Sequence, residues 1–174
     1  MTEDVTRLRQ KLDQAREAGW FDLFVDSRTR KIRRWAEDLE SRMMLWLDGE
    51  DVEYIEFGFA SDERGGGDDL VVVVLTELRL LHVRLHRDAD VPEHARISEF
   101  TFYDRAKLAD LRVQGMEHPE RWPWNRTLHL IFSDPEFTVR LPLEATRETA
   151  WEERGRQLTL SLRRNLPVDW SPQA

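Results

Sequence analysis

The feature that most constrains this chain is a change of hydrophobic period near residue 51. Before it, apolar side chains recur at helical spacing: Val5, Leu8, Leu12 and Ala15, then Ile32, Trp35, Ala36, Leu39, Met43, Trp46 and Leu47. The first run ends at Gly19; the second predicts a helix over 28–47, stopped by LDGED (47–51). After residue 51 apolar residues alternate, or gather in short β-branched blocks. Seven segments of strand length follow, at 52–59, 70–75, 80–86, 97–103, 111–116, 127–132 and 137–143. Between them lie turn signals and, at 104–110, room for one helical turn. No helix of a dozen residues fits between any two of them, so parallel crossovers are excluded and the strands pair antiparallel. Helical spacing returns at the end, where Trp151, Leu158, Leu162 and Leu166 mark a closing helix between residues 144 and 165.

Two details refine this α+β pattern. In EDVEYIEFGFAS the alternation changes phase around Ile55 or Gly58, which predicts a bulge. In LLHVRLH, Leu81, Val83 and Leu85 take one face, leaving His82, Arg84 and His86 on a solvated one. Histidines four apart in a strand lie about 13 Å from each other, too far to share a metal, and no metal site is expected.

The segment LVVVVLTELRLLHVRL (70–85) resembles a piece of the bacterial pleckstrin-homology (PH)-like domains, in which a strand ends in a Leu–Thr–x–x–Arg–Leu turn, here Leu75, Thr76, Arg79 and Leu80. YDRAKLADLRVQG (103–115) is similar to the family's next helical step into a strand, and the helix carrying Trp151 to its closing helix. The resemblance covers roughly 51–166. It implies a seven-stranded antiparallel PH-like barrel capped by the C-terminal helix. Residues 1–50 would form a separate segment of two helices, and 167–174 a tail. PH-like barrels serve many partners, so fold alone assigns no function. Where the family's inositol-phosphate binders carry spaced bases on the first hairpin, this chain has SDERGGGDD (61–69), with Arg64 against four carboxylates. Inositol phosphate at that site is therefore not expected.

Charge and composition narrow the function classes. The net charge is −8, which argues against a generic nucleic-acid binder. With no cysteine, there is neither a disulfide framework nor thiolate catalysis. The start has no apolar leader and no run reaches transmembrane length, so the expected compartment is the cytoplasm. GGG (65–67) lacks the Lys-Ser/Thr of a phosphate loop, and no Gly-x-Ser-x-Gly occurs. No catalytic constellation is seen and no cofactor is expected.

Two surfaces remain as candidate sites. In HPERWPWNRT (118–127), Trp122 and Trp124 flank Pro123, with Arg121 and Arg126 at the rim. Trp and Arg are the residues enriched in binding hot spots. The competing reading folds one or both indoles back under the loop as core, since each buries about 150–250 Å2. In RTRKIRRW (28–35), Arg28, Arg30, Lys31, Arg33 and Arg34 would sit in the first turns of a helix, against its dipole. They read either as a patch for anionic membrane or nucleic acid, or as an intramolecular match for the acidic remainder. The expectation is a non-enzymatic module that docks a protein partner through the tryptophan loop. The broad stripe of the second helix is available to a second copy of the chain or to the closing helix.

Overall fold

The computed structural model describes residues 28–29, 31–47, 49–61, 68–87, 95–114, 127–133, 136–141, 143, 158–164 and 166. The protein is α+β, with its described strands in two antiparallel sheets. All seven expected strands are present: β1 (Val52–Ser61), β2 (Asp68–Thr76), β3 (Arg79–Arg87), β4 (Ala95–Asp104), β5 (Leu108–Gln114), β6 (Thr127–Ser133) and β7 (Glu136–Leu141). They pair as β1-β2-β3-β4 and as β5-β6-β7, and the two sheets do not close into one seven-stranded barrel. Expectations for the first helix (Val5–Ala15) and for Trp151 fall outside the described residues.

The chain divides into two compact units, one of residues 1–77 with 81–101, the other of 78–80 with 102–174. In the first, helix α1 (Arg34–Leu47) buries Trp35, Ala36, Leu39, Met43 and Leu47, a stripe at i, i+1, i+4, i+8 and i+12. It starts six residues later than its hydrophobic spacing predicts. Thr29 Oγ1 accepts from Lys31 N at 3.4 Å, and Ile32 forms an isolated bridge; both draw the backbone away from helical bonding. The first helical bonds run to the Arg33 carbonyl, from Ala36 N at 2.9 Å and Glu37 N at 3.1 Å. At the other end Gly49 takes a φ of 84°, where a Cβ is disfavoured, and Glu50 N donates to the Leu47 carbonyl at 2.8 Å. Here the expected helix stop is borne out.

β2 lies inside its sheet, and Leu70 to Leu75 are all buried. A strand covered on both faces reads as a continuous apolar run rather than an alternating one. Cross-strand partners share a face, so Ile55 and Phe57 of β1 join Val74 and Val72 of β2. The register shifts between Val52 and Tyr54, making Glu53 the extra residue. The bulge thus precedes the expected site at Ile55 or Gly58; Tyr54 and Ile55 follow it in regular register and are both buried. The Thr76–Arg79 step is a two-residue hairpin connection through Glu77 and Leu78. Thr76, 1% exposed, donates from Oγ1 to Glu50 Oε2 at 2.5 Å, fixing the strand end to the segment after α1.

The second unit is built on the inward face of β5-β6-β7. Leu128, Leu130 and Phe132 of β6 oppose Leu141, Val139 and Phe137 of β7, and Leu111 of β5 opposes Leu130. Tyr103 stacks on Phe137 at a centroid distance of 4.0 Å and meets Phe132 at 5.5 Å. The expected single turn at 104–110 is a 3-10 turn over Arg105–Lys107, capped by the Asp104 carboxylate accepting from Ala106 N at 2.8 Å. Arg105 N donates to the Leu78 carbonyl at 2.8 Å, and its Nη2 donates to Ser161 Oγ at 3.0 Å. Residues 158–163 are helical with Leu158 and Leu162 buried, the described part of the expected closing helix.

Candidate binding surfaces

The expected partner-docking residues Arg121, Trp122, Trp124 and Arg126, and Arg30 of the basic run, lie outside the described residues. The rest of the basic run is described. Arg28 is in a turn, Lys31 is in irregular backbone, Arg33 caps the helix and Arg34 opens it. Expecting the whole run in the first turns of a helix is therefore wrong; of the described members only Arg33 and Arg34 meet the dipole. Lys31 and Arg34 are exposed and Arg33 is half-buried with its Nε enclosed. Lys31, Arg33 and Arg34 form no ion pair among the described residues. An intramolecular match with the acidic remainder is thus not seen for these three.

α1 itself carries a second surface. Arg34, Asp38, Ser41, Arg42 and Leu45 are exposed and recur at i, i+4, i+7, i+8 and i+11, along the side opposite the buried stripe. Leu45 is 76% exposed and Trp46 51%. Trp46 meets Phe100 of β4, with ring centroids 6.5 Å apart. Sequence reading assigned Trp46 to the buried stripe and passed over Leu45. Setting Leu45 on a helical wheel beside Arg34 and Asp38 would have found it, because the spacing separates it from Met43 and Leu47.

The polar row on β3 is not a solvated face throughout. His82 is 6% exposed, with Nδ1 3.3 Å from Glu99 Oε1 on β4. Burial holds its imidazole below the ordinary value, opposed by the Glu99 carboxylate and reinforced by Arg84. Four residues further along β3, His86 Nδ1 lies 2.8 Å from Asp69 Oδ1 of β2, with Arg84 Nε 3.9 Å from the same carboxylate. Alternation places His82 on this face correctly, but coverage of the face depends on what packs there. Among the described residues no group of three or more His, Asp or Glu is placed to hold a metal, and no helix is long and apolar enough to cross a membrane.

No family model matches the chain, and no match to it is found among curated proteins or among solved structures.

Proposed function

We propose that this chain is a non-enzymatic binding or assembly module that docks a protein partner. The observation that supports it is the exposed pair Leu45 and Trp46 at the end of α1, when no large apolar side chain described in the strands is exposed. A PH-like arrangement is part of the same reading. The seven strands, the turn after Thr76, the 3-10 step and the terminal helical residues come in the order the resemblance implies. In this reading the loop with Trp122 and Trp124 supplies a second apolar anchor, oriented by Arg121 and Arg126. Acrylamide quenching of wild type against Trp122→Phe/Trp124→Phe tests it. Loss of most of the quenchable fluorescence marks the loop as a recognition surface. Unchanged quenching of the remainder, with a destabilised double variant, makes the loop core and removes it from the docking surface.

A second reading is an anion-binding patch on Arg28, Arg30, Lys31, Arg33 and Arg34, favoured by the absence of ion pairs at Lys31, Arg33 and Arg34 among the described residues. Anionic vesicles test it. Binding through this patch must weaken steeply as salt rises, whereas an apolar protein interface is little affected.

A further inference from the structure

The outer face of α1 has a charge pattern complementary to itself. Asp38 and Arg42 are both exposed, one turn apart, and neither forms an ion pair among the described residues. Arg34 lies one turn before Asp38 and Leu45 about one turn after Arg42, with the small Ser41 between. A parallel pair of such helices would set Asp38 beside Asp38 and Arg42 beside Arg42. An antiparallel pair, with its two-fold axis passing between these residues, sets each Asp38 opposite the Arg42 of the other copy, twice over. The same register brings each Arg34 to the Leu45 and Trp46 end of the other helix. There its aliphatic stem covers Leu45, beside the exposed part of Trp46. Ser41, close to the axis, leaves room for the helices to approach.

We infer that α1 is a self-docking surface, which pairs two copies of this chain antiparallel through reciprocal Asp38–Arg42 contacts and buries Leu45 and Trp46. This deepens the docking function proposed above, and rests on it, by naming the partner of this face as a second copy. A 14-residue helix is about 21 Å long, and one such face is smaller than a standard protein interface. Self-association is accordingly expected to be weak and to depend on concentration.

The test is sedimentation velocity on the full chain across a concentration series, with charge-swap variants. Wild type moves from monomer to dimer as concentration rises. Asp38→Arg sets two arginine pairs across the axis and Arg42→Asp two carboxylate pairs, so each alone stays monomeric. An equimolar mixture of the two restores the dimer, because the mixed pair again opposes Arg with Asp at both contacts. Both positions are exposed, and an unchanged far-UV spectrum verifies each fold. Should either variant misfold, Leu45→Glu replaces it and must abolish the dimer. A wild type that is monomeric throughout overturns the inference and leaves the face to another partner. A dimer that ignores the swaps, or swaps that the mixture fails to rescue, also overturns it. Trp122→Ala/Trp124→Ala is expected to keep this dimer, so failure of the loop as a docking surface is distinguishable from failure of α1.

Discussion

Replacing Thr76 with Val removes its side-chain hydrogen bonding at nearly constant shape. Thr76 is 1% exposed, and its Oγ1 donates to Glu50 Oε2 at 2.5 Å. The bond joins the end of β2 to the residue that follows the Gly49 turn, closing the link between α1 and the sheet within the first unit. A hydrogen bond to a charged group contributes about 1.5–3 kcal/mol. Glu50 is only half-buried, so water replaces part of what its carboxylate loses, and a cost of about 1–2 kcal/mol is expected. Valine keeps the β-branching that suits the strand and adds no cavity, so the cost is not a packing cost. The assay is urea unfolding followed by far-UV circular dichroism. With a slope of about 1–3 kcal/mol per molar urea, the midpoint falls by roughly 0.3–2 M. Glu50→Ala, which removes the acceptor, closes a double-mutant cycle, and its coupling to Thr76→Val is expected at about 1 kcal/mol. A Thr76→Val midpoint equal to wild type, or zero coupling in the cycle, would refute the assignment of stability to this contact.

Two further expectations concern the interior. Burial depresses the folded-state affinity of His82 for a proton below that of the unfolded chain, whose imidazole has the ordinary value of 6.5. The unfolded state therefore binds more protons as pH falls through that value. The stability contributed by neutral His82 is complete above about pH 6.5 and lost progressively below it, and His82→Phe should flatten urea midpoints measured between pH 7.5 and 5.5. An equally steep profile in the variant would assign the acid sensitivity elsewhere. Phe132, 0% exposed and 5.5 Å from Tyr103, should cost about 3–5 kcal/mol on truncation to Ala, and less than half of that on change to Leu, read by thermal unfolding. Equal costs for the two substitutions would refute this volume argument, because Leu restores most of the volume that Ala removes.

Much of the architecture was legible before any coordinates. The period change at residue 51 located all seven strands, since a strand with one buried face must alternate and one buried on both faces must run apolar, as 70–75 does. The stop at Gly49 and the turn at Arg105–Lys107 were equally readable, because a left-handed residue and an Asp cap are local chemistry. Less of the candidate site was readable. The basic run looked helical by composition, but the Thr29 turn and the Ile32 bridge hold its start outside α1.

What the sequence by itself determined is which residues form strands, which form helix and that neighbouring strands run antiparallel, because periodicity and turn chemistry are properties of a few adjacent residues. Only tertiary structure decided that the strands pair as four and three, that the bulge falls at Glu53, that His82 is enclosed beside Glu99, and that Leu45 is left in water. Each of these depends on which surfaces, distant in sequence, come to lie against one another. Alternation names the face a side chain takes, and packing decides whether that face meets protein or solvent.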